Sequence, residues 1–353
     1  MTINSEMIRL ARESRGLSQA ELCDKLQVAQ GTISKIENKL IDCSADLAEL
    51  IATKLEYPLT FFYRTELIFP ASMHYYRRKL TLGKKILNKA EARMNILRMG
   101  IEQLLNEVEI PEQSFGRWDV EHLGSPTMGA RFLRESWRLP KGRIDNITSL
   151  LEQKGIIIFH FDFGSDKLDG LSFYTQKGHP IIFVNRTLPG DRLRLTIAHE
   201  LGHLYMHIGQ PVSLDRDVEA EAYEFGSEFL VPIDEFSATV TIIDLKFLAD
   251  QKRYWKVAMS ALVVKARKNN IITENQAKYL YSQLSALGYR KSEPVELAIE
   301  KEHPTLIKNV MDLYRKELGY SPEQLAATVH MSMKDFDVEF DTHPFGLRLL
   351  RRN

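Results

Sequence analysis

Thr196-Ile-Ala-His199-Glu200-Leu-Gly-His203-Leu-Tyr-Met-His207 is the stretch from which the rest of the chain is best read. Leu193, Ile197, Leu201, Leu204 and Ile208 recur around it at helical spacing, and Pro189-Gly190-Asp191 supplies a turn and an N-cap upstream, so the pattern predicts an amphipathic helix. Residues four apart on a helix stack on one face, which aims the imidazoles of His199 and His203 at one point with Glu200 beside them. That geometry suits a single metal ion. Zinc in a hydrolytic site takes three protein ligands and leaves a fourth position for water, whose pKa it lowers towards neutrality. Glu200 is then the candidate catalytic base that takes the water's proton.

A third ligand is sought downstream. A second helical run is expected from near Asp215 to Pro232, with Ala222, Phe225 and Phe229 on its buried side and Glu221, Glu224 and Glu228 sharing another face. Spacing alone does not choose among these three glutamates. The longer metzincin pattern is rejected, because it needs Gly at 206 and His at 209, where this chain has Met206 and Gly209. His207 continues the face of His199 and His203 by one turn. A fourth protein ligand would close the water position, so His207 is expected behind the ligands or at the surface. Tyr205, Tyr223 and His207 are the nearby candidates for stabilising an oxyanion.

The chain has 353 residues, 44% of them hydrophobic, enough for two or three domains with their own cores. Its 47 basic and 47 acidic residues cancel, so contact with nucleic acid would have to come from a local arrangement of charge. The longest apolar runs, such as Gly155-Ile-Ile-Ile-Phe159, are far shorter than a bilayer span, and no secretion core opens the sequence; a cytoplasmic protein with no membrane partner is expected. Two cysteines, Cys23 and Cys43, make no disulfide framework and are read as small buried residues.

Residues 1–66 read as a set of short helices. Ile8, Leu10 and Ala11 suit a first helix ending near Arg15-Gly16, and Ser18 with Glu21 forms a capping box for the second. A third runs from Gln30 to Glu37. The stretches Leu17-Ser-Gln-Ala-Glu-Leu22 and Val28-Ala-Gln-Gly-Thr-Ile-Ser-Lys-Ile-Glu-Asn38 resemble the lambda-repressor/Cro (XRE) helix-turn-helix family, with Gln27 standing where that family usually has glycine. The resemblance implies a third helix in the major groove of double-stranded operator DNA. By position Gln30, Thr32 and Ser34 would face base edges or phosphate, while Lys35 and Gln19 would hold the backbone. A homodimer on an inverted repeat is compatible with this docking. A helical bundle that binds protein is the competing reading, since residues 1–64 carry no basic excess.

Further along, Arg77, Arg78, Lys79, Lys84, Lys85, Lys89 and Arg93 form a basic stretch that either extends a phosphate footprint or lies on a solvated helix face. A long helix is expected from Gly83 to Val108, closed by Pro111, then helices at Met128–Trp137 and Ile147–Lys154. Ile156–Phe161, Leu171–Tyr174 and Pro180–Val184 are short β-rich runs that predict a small antiparallel sheet, whose edge could hold substrate as an added strand entered at Asp169-Gly170-Leu171-Ser172. After Pro232 the chain reads as helical. Near the end, Ser321-Pro-Glu-Gln-Leu-Ala326 and Val329-His-Met-Ser-Met333 loosely echo the Ser18 region, but Asp335, Asp337 and Glu339 in the following helix oppose phosphate, which favours protein contact or plain packing there.

Residues from about 75 to 291 resemble the ImmA/IrrE family of metallopeptidases. The segments that carry this are Arg77-Arg-Lys79, Ala90-Glu-Ala-Arg93, Asp169-Gly-Leu-Ser172, Pro189-Gly-Asp-Arg192, the His-Glu-Leu-Gly-His motif, Glu221-Ala-Tyr-Glu-Phe225 and Phe229-Leu-Val-Pro232, then Ser260-Ala-Leu262, Gly288-Tyr-Arg-Lys291 and Glu293-Pro294. The resemblance implies Zn2+ as cofactor and places the third ligand on Glu221, beside His199 and His203. Tyr223 stands where the family usually has Asn or Asp, and Gly226 where it usually has alanine. It also implies a DNA-bound endopeptidase that cleaves a protein substrate, a repressor or other regulatory protein. The alternative is a non-proteolytic transcription factor or antitoxin-like protein whose zinc domain is a sensor or partner-binding module; the presence of Glu200 favours the enzyme, since a structural site needs no base.

The expected architecture is α+β and mostly helical. It comprises a five-helix-type helix-turn-helix domain (1–66), a basic linker and long helix (67–124), a zincin-like core with a small antiparallel sheet and the His-Glu-x-x-His helix (125–235), a helical extension (236–291) and a helical C-terminal domain (292–353).

Overall fold

The computed structural model describes residues 2–69, 83–113, 115–213, 215–290 and 293–340. Arg77, Arg78 and Lys79 lie outside these, so the phosphate footprint expected of that stretch does too. The described residues are mostly helical, with one three-stranded sheet. The helix-turn-helix region is built from α1 (Ser5–Ser14), α2 (Gln19–Leu26), α3 (Thr32–Glu37) and α4 (Ala45–Leu55), followed by a 3-10 turn at Leu59–Tyr63. Ser18 and Glu21 make the expected capping box on α2. Gln27 does take the left-handed conformation, at φ 55°, so the turn needs no glycine there. Helix α3 starts two residues later than expected: Gln30 and Gly31 belong to the turn, and Gly31 at φ 90° is the residue that requires the missing Cβ.

The middle of the chain supplies α5 (Lys84–Leu104), α6 (Val120–Leu123), α7 (Pro126–Ser136) and α8 (Ile147–Gln153), then strands β1 (Ile157–Phe161), β2 (Gly170–Tyr174) and β3 (Pro180–Asn185). The sheet departs from the antiparallel expectation. Its order is β1-β3-β2, with β1 parallel to β3 (Ile157 opposite Ile181) and β2 antiparallel to it (Leu171 opposite Phe183). Sequence-adjacent β1 and β2 therefore never pair, and the returning β3 fills the gap between them. Among the described strands β1 and β2 lie at the two edges.

Period-two alternation divides the sheet between two cores. Ile157, Phe159, Phe161, Leu171, Ile181 and Phe183 face a core shared with α1, α5 and residues 307–340. Ile158, Ile182 and Val184 face a second core shared with α9 (Gly190–Met206) and α10 (Val218–Leu230). Helix α9 is buried along nearly its whole length, clamped between the sheet and α10. Pro189 is its cap position, and Asp191 is no cap: it lies inside the first turn and receives the buried Lys252 ammonium. The chain continues through α11 (Ile233–Ala238), α12 (Leu245–Trp255), α13 (Met259–Lys268) and α14 (Glu274–Ala286) to α15 (Leu306–Glu317), α16 (Pro322–Thr328) and α17 (Met333–Phe340). No helix among the described residues is long and apolar enough to cross a membrane.

Candidate metal centre

Helices α9 and α10 cross closely because glycine stands at both contact points. A Cβ on Gly226 would come within 2.8 Å of the His199 backbone nitrogen, and one on Gly202 within 3.2 Å of the Ala222 Cα. Gly226 in place of the usual alanine thus lets α10 settle directly on the backbone at Ala198-His199. Contacts 226 to 199 and 222 to 202 make the helices antiparallel, so the next position on this face of α10, residue 219, arrives beside His203.

Glu219 is accordingly the carboxylate that meets the histidines. Its two oxygens lie 3.4 Å from His199 Nε2 and 3.4 Å from His203 Nε2, and those nitrogens are 3.0 Å apart. Among the described residues these three form the one cluster of side chains arranged to hold a metal ion. The protonation states suit ligation: burial pushes His203 down to about 3, hence neutral at pH 7, and Glu219 stays well below the usual carboxylate range because the bonds from His199 and His203 outweigh its burial.

Glu221, the expected third ligand, is placed elsewhere. Two residues along a helix correspond to about 200° of rotation, so Glu221 cannot share the face of Glu219. It accepts from Arg216 at 2.9 and 2.6 Å and lies 2.9 Å from His207 Nε2, while His207 Nδ1 lies 3.0 Å from His203 Nδ1. The line Arg216, Glu221, His207, His203 therefore engages the far nitrogen of His203 and fixes its ring, the arrangement that orients metal-binding histidines. The other two glutamates are engaged as well. Glu224 accepts the Thr127 hydroxyl at 2.8 Å, and Glu228 accepts buried Lys265 at 2.6 Å and Arg131 at 2.9 Å. In the sequence Glu219 is inconspicuous, because an acid in the first turn of a helix, just after the Asp217 cap, reads as an ordinary dipole partner.

Glu200 is 4% exposed and its carboxylate accepts the Ser172 hydroxyl at 2.8 Å. Gly170 lies against it: a Cβ there would strike Thr196 Cγ2 at 2.8 Å and Glu200 Cγ at 3.1 Å. The Asp169-Gly-Leu-Ser172 stretch is therefore a cradle for Glu200, with Asp169 anchored by Arg192. Beside it, Leu171 to Tyr174 of β2 and the following Thr175 line a cleft of about 550 Å3 whose other walls come from Met94, Asn95 and Glu91 of α5 and from Phe69, Gln113, Arg117, Ile208 and Gly209. Of the oxyanion candidates, Tyr205 lies in an aromatic cluster with Phe115, Trp118 and Phe225, Tyr223 sits under the Lys268 ammonium, and His207 is held between His203 and Glu221.

In the helix-turn-helix region Gln30, in the turn, and Lys35, on α3, are exposed, while Thr32 and Ser34 are half-buried. Gln19 donates to Glu37 at 2.7 Å, and Glu37 takes the buried Arg12 through two bonds, so Gln19 braces α2 against α3. In the basic stretch, Lys85 meets Glu21, and Arg93 is bonded to Glu339.

Residues 8–62 match the helix-turn-helix family, and residues 151–267 match the IrrE N-terminal-like domain family, Peptidase_M78. No curated protein matches the chain significantly. The second match spans the sheet, Glu200 and its cradle, and the histidine-glutamate cluster; the first spans α1 to the 3-10 turn. The chain therefore joins an XRE-type helix-turn-helix domain to a peptidase M78 domain of the IrrE/ImmA type, in that order.

Proposed function

We propose that this protein is a DNA-binding regulator whose M78 domain is a zinc-dependent endopeptidase acting on another regulatory protein, such as a repressor. The observation that carries the reading is the convergence of His199, His203 and Glu219 within one turn of a buried Glu200 that Gly170 and Ser172 hold in place. Two imidazoles and a carboxylate are a donor set that fits zinc with a position to spare.

Zinc bound there would supply Lewis acidity to a water and to the scissile carbonyl. Glu200 accepts the proton of the attacking water as the new C–O bond forms, and then returns it to the amine nitrogen, so that the scissile C–N bond breaks as the tetrahedral adduct collapses. Ser172 donates to the Glu200 carboxylate and fixes the oxygen that takes the proton. The side of β2 that lines the cleft offers main-chain groups to an extended peptide, an added strand that needs little sequence specificity. In the DNA-binding half, α3 enters the major groove: Gln30 leads into it from the turn, Thr32 and Ser34 face bases or phosphate, and Lys35 holds the backbone.

The test is to incubate the purified, zinc-loaded full chain with repressor proteins encoded beside it, with and without a chelator, and with Glu200→Gln. Fragments that appear in the parent reaction and disappear under both treatments support the reading. Zinc-loaded protein that cleaves none of them, or cleavage that survives Glu200→Gln, would refute it.

A further inference from the structure

The loose echo of Ser18 near Ser321 becomes a close geometric repeat once the backbone is compared. One constant offset relates the N-terminal helix-turn-helix region to residues 306–340. Gly16 and Gly319 both have φ of 69°, and Gln27 and His330 both have φ of 55°. Ser18 and Ser321 both cap through a complete capping box, with Glu21 and Gln324 as reciprocal partners. The turn that follows closes with equivalent bonds, Val28 N to Cys23 O at 3.2 Å and Met331 N to Ala326 O at 2.9 Å. Leu22 and Leu325, Cys23 and Ala326, and Ile33 and Phe336 occupy matching core positions, all buried. Helices α15, α16 and α17 thus repeat α1, α2 and α3.

The two units differ at the face that would read DNA. The positions of Gln30, Thr32, Ser34 and Lys35 are taken by Met333, Asp335, Asp337 and Val338. Two carboxylates in place of hydroxyls would repel phosphate. Asp335 instead receives Arg15, at the end of α1, through two parallel bonds of 2.8 and 2.6 Å, and the Tyr57 ring lies 4.5 Å beneath that guanidinium. Around this pair Lys334 meets Glu56 at 3.0 Å, His330 meets Thr60 at 3.0 Å, and Arg64 donates to the Val329 carbonyl. The far end of α17 is fixed to the rest of the molecule: Glu339 is bonded to Arg93 of α5, and the Phe340 ring packs edge-on against Phe159 of β1.

We propose that residues 306–340 are a second helix-turn-helix unit whose reading-helix face has become a protein-docking surface, and that its partner is the N-terminal helix-turn-helix unit of the same chain. The grip falls on Arg15, Glu56, Thr60 and Arg64, none of them on α3, so the true reading helix stays open to DNA. Helix α1 packs directly on α5, and α17 adds a second tie from the DNA-binding unit to α5 and to the sheet that carries β2. The two functional halves are then one body, and a chain on its operator holds its cleft in a fixed direction.

Amide hydrogen exchange of the full chain tests this with Asp335→Asn, an isosteric change that removes the charge, and with a Thr60→Cys, His330→Cys variant joined by a short bifunctional thiol reagent. Hydrogen bonds to charged groups are individually strong, so losing this pair should speed exchange roughly tenfold in α17 and in the last turn of α1 together. The intrachain cross-link, made in the Asp335→Asn background, should restore protection in both. Acceleration confined to α17 would overturn the docking, because a merely peripheral helix would fray alone. So would a folded double-cysteine variant that does not cross-link within the chain.

Discussion

His207 Nε2 stands 2.9 Å from a Glu221 carboxylate oxygen, and this pair lies directly behind His203, whose Nδ1 is 3.0 Å from the other nitrogen of the His207 ring. A carboxylate two residues from Glu219 thereby steadies the site from outside it. The distinction between holding a metal and orienting what holds it can be measured.

Glu219→Ala should abolish stoichiometric zinc binding, whereas Glu221→Gln should keep the metal and weaken its affinity by about 10- to 100-fold, the usual effect of removing a group that orients a ligand. Metal analysis after dialysis against a graded chelator separates the two. Full zinc in Glu219→Ala with none in Glu221→Gln would return the third ligand to Glu221.

Gly226→Ala places a methyl group 2.8 Å from the His199 backbone nitrogen, where only backbone can yield. The expected cost is about 1–3 kcal/mol from overpacking, together with a loss of zinc affinity as α10 is pushed off α9. Thermal melting and metal titration of the same variant read both effects. An unchanged melting temperature would show that the helices can separate freely.

Gly170→Ala should spare the metal and impair hydrolysis, because the nearest atoms the added Cβ meets are Thr196 Cγ2 at 2.8 Å and the Glu200 side chain, at 3.1 Å to Cγ and 3.2 Å to a carboxylate oxygen. A kcat that falls with unchanged zinc content is the expected signature. Zinc loss in parallel with activity would mean that the cradle supports the whole helix and not Glu200 alone.

The Asp335 carboxyl is held below its ordinary value: burial works to raise it, but the bonds from Arg15 prevail. A folded-state value lower than the unfolded one, near 3.9, means that the stabilisation is present above that pH and is lost as pH falls through the folded value. Acid unfolding followed by circular dichroism should therefore be less steep below about pH 4 in Asp335→Asn than in the parent. Identical curves would show that the pair contributes nothing to stability.

On DNA, Lys35→Ala should weaken binding to all sequences alike and lower the salt slope by about 1, while Gln30→Ala should alter base preference. Gln30 belongs to the turn and not to α3, so its reach to a base edge depends on how far Gly31 lets the turn approach the groove. Binding isotherms on operator and random duplexes at several salt concentrations distinguish the two variants.

Much of this molecule follows from the sequence because the interactions concerned are local. The capping box at Ser18, the stripe from Leu193 to Ile208, the face shared by His199 and His203, and the β-rich runs each depend on residues a few positions apart, and each forms where the spacing puts it. What the sequence left open depends on how separate elements meet. The antiparallel crossing of α9 and α10, fixed by Gly202 and Gly226, decides that Glu219 meets the histidines while Glu221 rotates to Arg216 and His207. The return of β3 between β1 and β2 decides that the sheet is mixed and that β2 lies at its edge among the described strands. Asp335 of α17 likewise finds its partner in Arg15, 320 residues away in the sequence, a pairing no local pattern specifies because packing against α5 and the sheet is what brings the two together.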